Sequence, residues 1–315
     1  MIADDFVVIN EKGMYCQVGE FYLDPIKPCL NAVISHAHGD HAVKSNENIY
    51  CTAPTGAIMT HRYQKNAGRN FVLLAFGEPF MLGPVKITLI PAGHIIGSAQ
   101  VLMEYNEVKY LYTGDYKLQD DPTCEKIGFV QADVLITETT FADPSVQHPD
   151  AGQEIRKLNE FNHNVLLGSY SLGKAQRLVH LINEHCPERS VLVHHTILPL
   201  NKIYESFGYP PGKYDLYTRK SMKHPDQNLV YLVPPLTFDS YIRAKNVVRA
   251  FASGWKRLQV NNGIELLISD HVDWNDILVM MKAVGPKEVW TVHGDGKYLR
   301  EHFINCIPVK LLNVC

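Results

Sequence analysis

The chain has 315 residues, 46% of them hydrophobic and 20% charged, with a net charge of −3, which is the composition of a soluble globular protein long enough for one large domain or two of ordinary size. No uninterrupted apolar run reaches the ~20 residues that span a bilayer, and the start MIADDFVVIN has no basic segment leading into an apolar one, so neither a membrane span nor a secretory leader is expected. The seven cysteines are odd in number, scattered and without a C-x-x-C pair, which argues against a disulfide framework and a thiolate zinc site and for a reducing cytoplasm.

In chain order, strand-like runs appear at FVVIN, FYLD, CLNAVIS, VKITLI, AQVLMEY, VKYLYT, ADVLIT, NVLLGS, SVLVHH, NLVYLV, IELLIS and EVWTVH. They are rich in Val, Ile, Leu and Tyr and are bounded by Gly, Pro, Asp or Asn. Helical spacing is read at 54–67, 173–185, 240–250 and 273–283, with Pro54 suited to a first turn. The segment 208–225, rich in Pro, Gly and Lys, reads as an irregular surface loop. Strands and helices alternate throughout, so the fold class is α/β.

The stretch VISHAHGDHA places His36, His38, Asp40 and His41 within six positions after an apolar run. His94, Asp115, His271 and His293 likewise follow apolar strands, each where the strand gives way to a loop containing Gly or Asp. Strand ends on a rigid sheet can hold several short loops over one spot. Five such ends argue for a shared site. Imidazole and carboxylate ligands suit zinc first and manganese second, and two cations rather than one. His36 and His38 stand two apart, Asp40 and His41 can turn toward a second ion, and Asp115 could bridge both with its two oxygens. Two such metals ~3.5–4 Å apart clamp the attacking and leaving oxygens of a displacement at phosphorus.

Charge is uneven along the chain. Residues 156–257 hold 15 Lys and Arg against 7 Asp and Glu, a balance of +8; the rest hold 15 against 26, or −11. A basic part could hold a polyanion and an acidic part cations, although two ordinary solvated faces would look the same.

The H-x-H-x-D-H pattern, the later A-G-H and the T-G-D resemble the metallo-β-lactamase signature. Glu138 in TETTF, His271 in SDHVDW and His293 in VHGDG resemble motifs A, B and C of its β-CASP nucleic-acid-processing branch. The stretches SYSLGKAQR, FASGW and SDHVDW look most like the bacterial ligase-associated DNA exonucleases. The resemblance runs from Asp24 to His293. It implies an αββα sandwich formed by residues 1–144 and 258–315, with a smaller basic α/β domain inserted at 145–257 to bind substrate.

Carried over residue by residue, the resemblance implies two divalent metal ions, one held by His36, His38 and His94 and the other by Asp40, His41 and His293, with Asp115 bridging. His271 would protonate the leaving oxygen and Glu138 would favour its charged form. Asp24 would support a ligand histidine, though a turn aspartate before Pro25 explains it equally well. Ser171, Gly173, Lys174 and Arg177 would form a phosphate site at a helix start, and Lys256 with Arg243, Lys245, Arg249 and Arg257 would line the strand path; a capped amphipathic helix is the plainer reading of the first group. Tyr170 and Trp255 could stack on bases or belong to the core. His194 and His195 match no motif and are left outside the site.

The implied function is a two-metal phosphodiesterase acting on nucleic acid, a DNA exonuclease in repair before an RNA-processing nuclease. The short insert departs from the family's pattern, neither an amino-terminal extension nor a long carboxy-terminal tail is expected, and histidine at motif C pulls toward RNA. A DNA ligase or helicase partner is implied by the resemblance alone. The rivals are a small-molecule thioesterase or lactonase, against which the basic insert counts, and a non-catalytic binding module, against which the full ligand set counts.

Overall fold

The computed structural model describes residues 1–218, 228–242, 247–260 and 262–312. The chain divides into two compact units: Met1–Asp120, Cys124–Gln147 and onward from His271 form the first, and Asp121–Thr123 with His148–Asp270 the second.

In the first unit, β1 (Val7–Asn10), β2 (Gly13–Cys16), β3 (Phe21–Leu23), β4 (Asn31–Val33), β5 (Asn46–Thr52) and, after α1 (Ala53–Tyr63), β6 (Gly68–Leu74) form one sheet in that order. Thr52 caps α1 through its hydroxyl, with Pro54 in the first turn as expected. A second sheet begins with β7 (Pro79–Leu82), β8 (Val85–Pro91), β9 (Ala99–Tyr105), β10 (Val108–Tyr112) and β11 (Val134–Glu138). Asn106 and Glu107, both at positive φ, make the tight turn between β9 and β10.

The second unit is a six-stranded parallel sheet. Its elements are α2 (Ala151–Arg156), β12 (Val165–Gly168), α3 (Lys174–His185), β13 (Ser190–Val193), α4 (Leu198–Ser206), β14 (Asp215–Leu216), β15 (Leu229–Val233), α5 (Pro235–Ser240), β16 (Val248–Ala252) and β17 (Ile264–Leu266). The spatial order is β14-β13-β15-β12-β16-β17. Because β17 pairs with β16, this unit extends past residue 257 to Asp270. One face of the sheet packs Leu167, Val193 and Val230 against Leu178 and Ile182 of α3, and the other packs Leu166, Tyr231 and Phe251 against Phe238 of α5.

The chain then returns to the first unit as α6 (Trp274–Val284), β18 (Glu288–Val292), α7 (Lys297–His302) and β19 (Val309–Leu311), with β18 pairing parallel to β11. The two sheets of this unit share one core of Phe6, Val7, Phe21 and Leu23 against Ile87, Val101, Tyr112, Ile136 and Trp290. Met59 of α1 packs on the outer face of the first sheet, and Ile277 and Met280 of α6 on that of the second. The result is the expected αββα sandwich.

The helix expected at 240–250 is not there. The helical turn ends at Ser240, and Val248–Ala252 is a strand; residues 243–246 lie outside the described residues. Pro234 and Pro235 start the helix early, and the β-branched and aromatic run VVRAFA suits a strand flanked on both sides by neighbours. Sequence periodicity also missed α2, α4, α7 and several short strands, each too short to declare its period. The expected loop at 208–225 is irregular up to residue 218 apart from β14, and 219–227 lie outside the described residues. Among the described residues no helix is long and apolar enough to cross a membrane, and six cysteines are free thiols, five of them buried.

Candidate metal centre

Past the end of β4, Ile34 N–H still donates to Tyr50 O at 3.0 Å; the chain then turns, with His41 N–H and Ala42 N–H donating to His38 O at 3.2 and 2.8 Å. That turn lets one short loop present His36, His38 and His41. His94 sits between β8 and β9 with its N–H on Ser98 Oγ at 3.0 Å. Asp115 follows β10 after Gly114, whose φ of 54° and whose approach to Ser35 Cβ (2.8 Å from any added Cβ) leave room only for glycine. Glu138 is the last residue of β11, His271 stands just before α6, and His293 follows β18 at a φ of 54°.

These side chains converge. His38 Nδ1 lies 3.1 Å from both His36 Nε2 and His94 Nε2. Asp115 Oδ2 lies 3.5 Å from His36 Nε2, 3.4 Å from His41 Nε2 and 3.8 Å from His94 Nε2. The rings of His41 and His293 are 5.0 Å apart. Ligand atoms of His36, His38, His94 and Asp115 fall within 4.8 Å of one another, and so do those of His41, Asp115 and His293. Three ring nitrogens around one point cannot all be satisfied by a shared proton, but they can all donate lone pairs to a cation, so the donor set fits a hard-to-borderline divalent metal. Asp40, with its side chain 80% exposed, has Oδ2 at 3.8 Å from His41 Nε2 and stands at the margin of the second group.

Buried hydrogen bonds behind the site fix which nitrogens face it. Asp24 accepts from Ser35 N–H at 2.7 Å, from the Ser35 hydroxyl, from Tyr112 Oη at 2.8 Å and from His41 Nδ1 at 2.8 Å. With the Ser35 proton committed to Asp24, His36 Nδ1–H donates to Ser35 Oγ at 3.0 Å. Both rings therefore turn Nε2 toward Asp115. Burial, and then the nearby His41, lower the proton affinity of His36. Burial opposes charge on His41 too, but Asp115 and Asp24 outweigh it and hold the ring well above the ordinary histidine range. Asp115 is held well below the usual carboxylate range: burial would raise it, and His41 and His271 overcome that. Ser35 and Tyr112 are the residues sequence reading missed; Tyr112 differs from no other apolar strand position, and nothing in the pattern marks it.

Beside this cluster, His271 Nδ1 is 2.9 Å from Glu138 Oε2 and 3.1 Å from Oε1, and 3.9 Å from Asp115 Oδ2. Glu138 is fully buried and also accepts Tyr116 N–H at 3.1 Å. A buried carboxylate against an imidazole favours the protonated ring.

The residues expected to bind substrate lie in the second unit. Gly173 stands at the start of α3 with a φ of 80°, its N–H donating to Gln176 Oε1, and Ser171 O accepts from the Gln176 amide. Lys174 and Arg177 depart from expectation. Both are buried, with Lys174 Nζ on Ile268 O (2.6 Å) and Asp270 (3.1 Å), and Arg177 on Ser269 O (2.6 Å), Asp270 (3.0 Å) and Asp121 (3.7 Å). Their charges neutralise buried carboxylates, so they hold the 268–270 segment instead of presenting charge to a phosphate. Lys256 is exposed, Arg257 lies over the Trp255 ring at 4.7 Å, and Arg249 lies over Phe238 at 4.1 Å; Arg243 and Lys245 lie outside the described residues.

Residues 20–195 match the model of the β-lactamase superfamily domain. The chain belongs to that superfamily. Membership implies divalent metal ions, for which the two histidine–aspartate groups are the candidate ligands. This superfamily member is 34% identical over 303 residues to a probable DNA ligase of Opitutus terrae, covering 90% of this chain and 28% of that protein. It is 28% identical over 211 residues to an RNase J-like protein of Methanocaldococcus jannaschii, covering 56% of this chain and 49% of that protein. It is 26% identical over 211 residues to the transcription termination factor FttA of Methanothermobacter thermautotrophicus, covering 54% and 33%. The chain thus spans less than half the length of these curated relatives. A crystal structure of a protein of unknown function from Enterococcus faecalis shares the fold, with a TM-score of 0.59 at 15% identity over 90% of this chain and 79% of that one.

Proposed function

We propose that this metal-dependent hydrolase is a nuclease: a two-metal phosphodiesterase that shortens nucleic acid, with DNA as the favoured substrate. The observation that carries the reading is the convergence of two ligand groups on Asp115 with the His271–Glu138 pair beside them. His36, His38 and His94 would hold one cation, His41, His293 and the marginal Asp40 the other, and Asp115 would serve both, zinc being the first candidate and manganese the second. When bound, the pair supplies Lewis acidity, polarising a phosphoryl oxygen and making water a nucleophile near neutral pH.

The chain's own residues supply the rest. Glu138 takes the Nδ1 proton of His271 as a hydrogen bond and steadies the charged ring, which leaves Nε2–H to protonate the departing oxygen. Asp24 keeps His41 turned toward Asp115 through its Nδ1. The first unit, which holds all the candidate ligands, would carry the chemistry, and the second unit would bind the strand. The DNA preference draws on the similarity to a probable DNA ligase over 90% of this chain, and that relative's name also motivates a ligase as partner. The RNase J-like relative supports RNA as the second reading.

The test is cleavage of 5′- and 3′-end-labelled single strands of DNA and RNA in zinc or manganese, with His271→Ala as control. Stepwise shortening lost in the variant supports the reading. No cleavage of any strand by the metal-loaded protein, with turnover of thioesters or lactones instead, sinks it.

A further inference from the structure

In the second unit, the neighbouring strands β12 and β15 send the chain to opposite faces of the sheet: α3 follows β12 onto one face, and α5 follows β15 onto the other. Such a divergence opens a crevice at the carboxyl ends of the two strands, where open parallel sheets receive ligands. The register aligns four strand ends there. Gly168 of β12 pairs with Val233 of β15 and with Phe251 of β16, and His194 N–H donates to Leu232 O to close β13 against β15.

Just past each of those ends stands an aromatic or apolar side chain exposed to solvent. Tyr170 after β12 is 55% exposed, Leu236 after β15 is 86% exposed, and Trp255 after β16 is 39% exposed beneath Arg257. After β13 the rings of His194 and His195 lie 4.0 Å apart, His195 is exposed, and His194 Nε2 reaches Thr237 Oγ1 at 3.5 Å. Burial, and then His195, push His194 below the ordinary histidine range, so at neutral pH it offers a flat uncharged face. From β13 to β16 the row spans on the order of 14 Å at the usual strand spacing, the length of a few nucleotides. An isolated exposed ring would mean little. Flat side chains at three of these four strand ends, with Leu236 at the fourth and within residues 156–257, which hold eight excess positive charges, match unpaired bases on a polyanionic backbone.

We infer that the carboxyl edge of this sheet seats a single strand of nucleic acid, its bases stacked on Tyr170, the His194–His195 pair and Trp255. The inference rests on the nuclease reading above for the class of its ligand. It also brings His194 and His195, which match no motif, into a binding role.

The test is fluorescence anisotropy of labelled dT and rU 12-mers on the full, metal-loaded chain carrying His271→Ala, with cleavage by the wild-type chain assayed in parallel. Tyr170→Ala, His195→Ala and Trp255→Ala are each expected to weaken single-strand binding about 5- to 100-fold, with the slope of affinity against salt unchanged. Tyr170→Phe and Trp255→Tyr should bind within about twofold of the parent, which separates stacking from misfolding. A blunt duplex should not respond to any of them. Losses shared by dT and rU support the row for both, and a loss confined to one names the sugar it takes. Parent-like binding by all three alanine variants, or equal losses on the duplex, overturns the inference even if the wild-type chain cleaves. An absence of cleavage with these losses intact overturns the nuclease reading and leaves the binding row standing.

Discussion

His271 and Glu138 stand 133 positions apart in the chain, yet His271 Nδ1 lies 2.9 Å from a Glu138 oxygen that has no exposure to water. Replacing His271 by Ala should lower turnover ~10²–10⁴-fold while leaving bound metal unchanged, because the ring is proposed to move a proton and not to hold a cation. Glu138→Gln keeps the shape and removes the charge, and a smaller fall of about 10- to 100-fold is expected. Turnover rates with metal content measured on the same samples check both. Loss of metal in His271→Ala would contradict the assignment.

Asp24 accepts four hydrogen bonds, one of them from His41. Asp24→Asn should therefore weaken binding of one cation ~10–100-fold through the misoriented ring. Competition with a chromophoric chelator measures it. Equal affinity at both sites in wild type and variant would assign Asp24 to the turn alone.

Chelation should lower the melting temperature of the intact protein, and zinc should restore it. Binding at 100-fold over Kd adds about 2.7 kcal/mol to the folded state. A melting curve indifferent to chelator, with metal shown to leave, would mean that the buried imidazoles need no cation for stability.

Arg177→Met leaves Asp270 and Asp121 with one cation fewer in a buried setting and should cost about 3–5 kcal/mol in urea unfolding. Arg177→Met combined with Asp270→Asn should recover part of it. Lys174→Met should leave the salt dependence of oligonucleotide binding as it was, since its charge is already paired. A flatter salt slope would return Lys174 to the phosphate-binding role expected from the sequence.

Burial, and then the charge of Asp273, raise Asp276 to about 6. The folded value exceeds the unfolded one, so the native state binds more protons between about 4 and 6, and stability falls as pH rises through that window. Asp276→Asn should raise the melting temperature at pH 8 by roughly 1–2 °C, allowing for solvent screening, and should have no effect at pH 4. A gain of equal size at both pH values would point to helix propensity instead of charge.

Much of this site could be read from the residues because each ligand sits on a strand end, and apolar strands announce themselves by composition. His36, His38, His94, Asp115 and His293 needed only that rule. The αββα fold was legible through the same strands and through α1 and α6, which are long enough to show their period. What escaped was set by tertiary context. Tyr112 is a strand tyrosine until its hydroxyl meets Asp24, 88 positions away. Lys174 and Arg177 look like a phosphate site until the 268–270 segment folds against them. The helix read at 240–250 failed because its apolar spacing belongs to a central strand.

The parallel pairing of β11 with β18 joins Val134 to Glu288, and this governs the order of events on the ribosome. The second unit is nearly continuous, from His148 to Asp270, so its sheet can close while the rest of the chain is still being made. The first unit cannot, because its second sheet waits for β18 and β19, which are made long after β7–β11. His271 and His293 arrive with that late segment. A nascent chain can therefore fold its second unit before it has a complete set of candidate metal ligands.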